Sequence, residues 1–388
     1  MRSPDGLFWW DGTAWQRVSE DSLPPDVEAE EVSVRSPAEI PPPPGSGQAA
    51  AEPAAGPRRG QGYGSEHFEP ERWLGHRLPS PRSGFPGLVY RLSGRRINLG
   101  PTQRQLQEAS HLAQTRTLIS DPPARVAIAS AKGGVGKTTI SLGLATVLGR
   151  NRGTERIIAV ESNPHHGTYR SRLQVGHQRS IEDLLNLIEQ SAGPSEISLP
   201  LLHLYTSTVP DNRFEILTAP LDVAVARLLG EPEYERVLGL LYRFYDICLF
   251  DLGTGLLDSV TAHLLLNVAD QVVVVSPAAL DGGQLADATL SYLEARRGAD
   301  WLRERCLVAI NAVRKETLAE VEAMEKHFRW RVRAVHRIRW EREMESGGLW
   351  SWEETSPGFR EDYTALAASV ALGFALGAAP DSVSTWAR

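Results

Sequence analysis

The feature that most constrains this chain is the run RVAIAS-AKGGVGKTT-ISLGLATVLG, from Arg125 to Gly149. It reads as an apolar strand, a glycine-rich turn and the start of a helix. Gly133, Gly134 and Gly136 let successive backbone N–H groups converge on one point without side chains in the way. The helix start behind them adds free N–H groups and a dipole. A strand, turn and helix in that order form a phosphate-binding loop, and the context is what gives the motif its weight. Lys137 is expected to reach the outer phosphates of a nucleotide and the Thr138 hydroxyl to bind Mg²⁺. Gly133, Gly134, Val135, Gly136, Lys137, Thr138 and Thr139 make up the expected binding set, with Ala131 where the motif usually begins on glycine.

Beyond the loop, strand-like runs alternate with helical ones. The strands are RVAIAS, RIIAVES, LLHLYTS, YDICLFD, QVVVVSP, CLVAIN and RVRAVHRI. Helices are expected over 137–150, 181–190, 232–245, 256–267, 281–297 and 314–327, with a closing helix near 360–376. Uninterrupted apolar strands suit a sheet covered on both faces. The alternation predicts an α/β fold with a doubly wound, mostly parallel sheet. YDICLFD ends in Asp251, where a carboxylate can hold Mg²⁺ through a coordinated water. Gly253 and Gly255 give the following loop freedom to respond to the last phosphate. The second strand ends in Glu161-Ser162-Asn163-Pro164. Asn163 can hydrogen-bond a water but cannot take its proton.

KGGVGKTT, with Lys132 early in the loop, resembles the MinD/ParA family of deviant Walker A ATPases, of the P-loop NTPase (SIMIBI) type. In that family the equivalent lysine crosses a dimer interface to the ATP held by the partner subunit. The resemblance therefore implies ATP and Mg²⁺ as ligands and a homodimer formed on ATP binding. It gives Lys132, Lys137, Glu161, Asn163 and Asp251 the catalytic positions, Thr138 and Asp251 the metal, and Asn311 the adenine edge. The family usually reads D-x-D-P where this chain has Glu161 and Asn163, so slow hydrolysis is expected, and a non-hydrolysing scaffold is a rival reading. SGRRINLG, YRFYDICLFDLGTGLLDSV and DGGQLADATLSYLEA resemble the actinobacterial, EspI-like branch associated with type VII secretion, over roughly residues 85–375. That resemblance implies a protein partner at a secretion machine. Cys248 and Cys306 both lie in strands, and C-x-x-C is absent, which sets aside cluster-bridged and zinc-bridged relatives. The terminus APDSVSTWAR has neither the tyrosine cluster of related kinases nor a basic amphipathic helix, so no direct membrane anchor is expected.

Charge bears on the remaining alternatives. With a net charge of −7, the chain is not a general nucleic-acid coat, and any such role must be local. KHFRWRVRAVHRIRWER offers such a place. As one strand it would put Arg329, Arg331, Arg333, Arg337 and Arg339 on one face, suited to DNA phosphates as in a ParA-like partitioning ATPase, or to an acidic partner. A solvated edge is the plainer alternative. No apolar run reaches the ~20 residues of a membrane span, and the start lacks signal-peptide character. A cytoplasmic protein is expected, peripheral to a membrane only through a partner. The expected organisation is a tryptophan-containing motif over 1–19, a disordered Pro/Ala/Gly-rich linker over 20–66, and a lead-in over 67–122. The ATPase domain follows over 123–378, then a flexible tail over 379–388. Within the first motif, FWW and WQR around Asp11-Gly12 suggest a short hairpin.

Overall fold

The computed structural model describes residues 8–10, 15–17, 84–162, 167–173, 179–191, 193, 196–220, 229–256, 258–345 and 347–378. The expected linker and tail lie outside these residues, as do Asn163, His165 and His166. The chain divides into two compact units, Met1–His76 and Arg77–Arg388. In the first unit, β1 (Phe8–Trp10) and β2 (Trp15–Arg17) pair antiparallel with Trp10 opposite Trp15, the hairpin that the aromatic runs suggest.

The second unit is built on one sheet of eight strands. These are β3 (Ala124–Ala129), β4 (Ile157–Ser162), β5 (Ser207–Val209), β6 (Phe214–Leu217), β7 (Ile247–Leu252), β8 (Gln271–Pro277), β9 (Cys306–Val313) and β10 (Ala334–Arg339). Their order is β10-β9-β8-β3-β7-β4-β6-β5, parallel except for the edge strand β5. From β3 the chain goes to β4 on one side, and from β7 it returns across β3 to β8. The phosphate loop thus leaves the central strand where the winding reverses, the place at which such sheets open a crevice.

Side-chain alternation divides the core in two. Ala127, Val160, Phe250 and Val274 face one layer with the helices Ile181–Gln190, Glu231–Leu241 and Leu280–Arg297. Val126, Ile128, Leu249 and Val273 face the other, with the helices Lys137–Asn151 and Pro357–Leu372. The helix Lys137–Asn151 buries 12 of its 15 residues, which accounts for an apolar pattern running all the way round it. Gly143 is where it meets the closing helix: a Cβ there would strike the Tyr363 ring.

Three segments depart from the sequence expectation, the first being β6, a strand at Phe214–Leu217 that the apolar runs did not mark. LLHLYTS forms the short helix Leu199–Leu202 and a turn, and strand pairing begins only at Ser207. Leu202 is buried from the helix and Leu201 half-buried, while Leu204 in the turn is exposed, and so short a run cannot signal a helix by periodicity. RVRAVHRI is a strand only from Ala334, because Arg329–Arg333 turn out of the preceding helix Leu318–Phe328. The supposed arginine face is therefore not one face. Arg331 pairs with Asp287 and Glu294, Arg337 with Glu325 and Arg339 with Asp362. Arg333 bonds Gln271 Oε1 and the Ser369 carbonyl. Arg329 alone of the five is exposed without a partner of this kind among the described residues.

In the lead-in, Gly84–Leu92 forms a helix and a second one follows. The second, Gln103–Gln114, starts with a reciprocal cap, Thr102 Oγ1 accepting from the Gln105 amide and Gln105 Oε1 from the Thr102 amide. It is tied to the closing helix by Arg104 and Glu361, and its end is held by Arg152, which donates to the Thr115 and Thr117 carbonyls.

Candidate phosphate-binding site

The loop Ala131–Gly136 curls at the C-terminal edge of β3. Gly134 and Gly136 have φ of 73° and 94°, conformations that a side chain resists. A Cβ on Gly136 would also hit Asn311 Nδ2. The helix starts at Lys137 with no side chain capping it, so its first N–H groups are left for a ligand. Lys137 is buried, and that burial pulls its ammonium below the ordinary value, with Asp251 opposing the shift. A bound anion would oppose that shift.

Three strand ends converge here. Glu161 and Asp251 are register partners on β4 and β7, and Thr138 Oγ1 donates to Asp251 Oδ2 at 2.7 Å. Burial pushes the Asp251 carboxyl up to about 7, and its Oδ1 is enclosed without a hydrogen-bond partner among the described residues. A buried carboxylate with an idle oxygen beside a threonine hydroxyl fits a hard divalent cation. The two residues expected to hold Mg²⁺ are thus already together.

Glu161 is placed differently from a free catalytic acid. Oε1 accepts from the Thr168 and Tyr169 amides and Oε2 from the Ala219 amide at 3.1 Å. Burial raises its pKa and those three N–H groups oppose the rise. Oε1 thus pins the segment that follows β4, and Oε2 the turn that follows β6. Asn163, between Glu161 and that segment, lies outside the described residues.

Lys132 and Lys137 face different surroundings. Lys132 has a side chain 42% exposed, and its Nζ reaches Asp281 Oδ2 at 2.6 Å, at the start of the helix Leu280–Arg297. Asn311, at the end of β9, donates from Nδ2 to the Val135 carbonyl at 2.8 Å. It also lines a cavity of about 230 Å³ together with Gly134, Thr139, Pro277, Arg314 and Trp340. The Arg314 guanidinium stacks over the Trp340 ring at 4.4 Å, and Trp340 Nε1 is enclosed without a partner among the described residues. A flat heteroaromatic group with ring nitrogens would suit that wall. The next residue, Ala312, has φ of 58° and also lines the cavity.

The structure adds residues that sequence reasoning did not single out. Asp281 meets Lys132 from 149 positions away, and Trp340 walls the cavity. Arg172 donates to Thr139 Oγ1 on the loop helix. Nothing local marks any of them, except that Asp281 follows a buried strand at a helix start, where an acid favours the dipole.

A family model described as the CobQ/CobB/MinD/ParA nucleotide binding domain matches residues 126–347. The ESX-1 secretion-associated protein EspI of Mycobacterium tuberculosis is 28% identical over 283 residues, 72% of this chain and 41% of that protein. The chain thus spans about two-fifths of the length of the curated relatives it matches. Among solved structures, a ParA family ATPase from Chlorobium tepidum aligns with a TM-score of 0.47 and 18% identity, over 66% of this chain and 95% of that one. The cell division ATPase MinD of Pyrococcus furiosus aligns at 0.48 and 18%, over 64% and 98%.

Proposed function

The chain belongs to the CobQ/CobB/MinD/ParA family of nucleotide-binding domains, and from that premise we propose that it is an ATP-driven dimerisation switch. The observation that carries this reading is the division of labour between the two loop lysines. Lys137 is buried against its own phosphate site, whereas the Lys132 side chain is half exposed and, among the described residues, is held by a still more accessible acid, Asp281. Surface ion pairs of that kind hold by about 1 kcal/mol or less, so Lys132 is free to exchange Asp281 for the phosphates of a second subunit.

In this reading the loop amides and Lys137 bind the phosphates, and the ring wall of Arg314 and Trp340 takes the base with Asn311 at its edge. Mg²⁺, when bound, supplies charge neutralisation at the outer phosphates, held by Thr138 and by Asp251 through water. Order in the segments after Glu161 and Asp251 then depends on the last phosphate, and those segments form the partner surface. The similarity to EspI supports a partner in type VII secretion, with this chain peripheral to the membrane only through that partner.

Slow hydrolysis follows from Glu161 having no oxygen to spare and from an amide at position 163. A non-hydrolysing scaffold is the rival reading, favoured by the same two facts. The experiment is light scattering with phosphate release, on wild type, Lys132→Ala and Lys137→Ala, in ADP and in Mg·ATP. We expect dimers in Mg·ATP for wild type alone. Monomers in every state would overturn the switch, and phosphate release no faster than in Lys137→Ala would establish the scaffold.

A further inference from the structure

Arg172 carries a buried charge that feels the Asp251 carboxylate at a distance but forms no ion pair with it. The residue is 5% exposed. Its Nη1 donates to Thr139 Oγ1 at 2.8 Å, Nε to the Gly348 carbonyl at 3.3 Å, and Nη2 lies 3.7 Å from Met344 Sδ. The guanidinium also stands over the Trp350 ring at 5.8 Å. No carboxylate forms an ion pair with it among the described residues. An enclosed cation surrounded by a hydroxyl, a carbonyl, a thioether and an indole is costly to bury, and an anion arriving nearby would remove that cost.

The contact with Thr139 says where the anion would come. A hydroxyl has one proton to give and two lone pairs to receive. Arg172 occupies a lone pair, and no acceptor for the Thr139 proton is found among the described residues. Thr139 lines the cavity shared by Gly134, Asn311 and Trp340, whereas Thr138 beside it faces Asp251. A phosphate near Thr139 is therefore the one closest to the base.

We propose that Arg172 and Thr139 act as a relay for the α-phosphate. Arg172 fixes the hydroxyl as a donor to a non-bridging oxygen and places a full positive charge one bond behind it. The proposal rests on the nucleotide reading above and assigns Arg172 as a positioning residue acting through Thr139. Because ADP and ATP share the α-phosphate, the relay serves both equally, unlike Lys132, whose effect is confined to ATP. Met344 lines the same cavity, and the Trp350 amide donates to the Arg172 carbonyl at 2.7 Å.

The test is calorimetric titration of ADP and ATP into full-length wild type, Arg172→Met, Arg172→Lys, Thr139→Val and the Arg172→Met/Thr139→Val double variant, with Lys137→Ala as control. Charge-assisted hydrogen bonds predict roughly tenfold weaker binding of both nucleotides in Arg172→Met. Thr139→Val should lose as much, the double variant little more, and Arg172→Lys less. Without nucleotide, Arg172→Met should melt at or above the wild-type temperature. Sulfur in place of one α-phosphate oxygen should weaken binding to wild type in one diastereomer only, a discrimination absent from Arg172→Met. Wild-type affinity in Arg172→Met or in Thr139→Val overturns the relay and leaves nucleotide binding standing. So does a lower melting temperature in Arg172→Met with thio-discrimination retained. A wild type that binds neither nucleotide overturns both readings.

Discussion

At the scale of single residues, the chemistry turns on which carboxylates are committed. Glu161 gives both oxygens to backbone amides, so the water-activating duty falls on position 163 or on nothing. Asn163→Asp should raise phosphate release, by roughly 10²-fold where a general base has been missing, measured under single-turnover conditions. No rise would mean that turnover is limited elsewhere. On the opposite end of the sheet, Arg125 and Asp270 make a two-pronged buried pair at 2.6 and 3.0 Å, with the Arg125 amide donating to the same carboxylate. Asp270→Ala leaves a guanidinium stranded and should cost ~3–5 kcal/mol in urea unfolding. Lys137, Thr138 and Asp251 were legible in the sequence because the loop spacing and one strand end specify them. Arg172 and Asp281 were not. Each owes its place to a partner 33 or 149 positions away, and no local pattern encodes such a distance.

At the scale of elements, most of the sheet could be read from apolar runs, and the helix Ile181–Gln190 falls where expected to the residue. The failures came where apolarity and period disagree. In LLHLYTS the core residue Leu202 is delivered by a helix too short to show its period. The alternation in RVRAVHRI continues through a turn that pairing does not reach. In the loop helix, Gly143→Ala would ordinarily gain about 1 kcal/mol of helix propensity. Against the Tyr363 ring the outcome should reverse to a loss of ~1–3 kcal/mol, and a melting temperature that rises would refute the packing argument. On β10, His336 Nε2 meets Ser369 Oγ at 2.9 Å. Burial first, then the positive fields of His111 and Arg333, bring its pKa down to about 4. A depressed value means that the unfolded chain takes up the proton first. The contribution is complete above pH 6.5 and is lost as pH falls towards 4, by at most ~3 kcal/mol. Unfolding titrations of His336→Gln should flatten over that window, and a parallel curve would place the acid sensitivity elsewhere.

At the scale of the whole molecule, charge is spent internally. The arginines that looked like a DNA-facing ridge hold the helices Leu280–Arg297, Leu318–Phe328 and Pro357–Leu372 to the sheet edge. Changing Arg331, Arg333 and Arg337 to Glu should therefore lower the melting temperature. Wild type should show no salt-sensitive, ATP-dependent retention of duplex DNA in fluorescence anisotropy. Retention lost in the triple variant would restore the partitioning reading. The lead-in and the closing helix matter in another way. The stretch recognisable by family ends at residue 347 and begins at 126. The helix that covers the Gly143 face starts at Pro357, and the carbonyls that satisfy Arg152 belong to Thr115 and Thr117. A recombinant fragment trimmed to the recognisable stretch would bare the Gly143 face of the loop helix, and is expected to collect in inclusion bodies, as the split between soluble and pelleted protein would show. What can be recognised in this protein is shorter than what can be cut out of it and still dissolve.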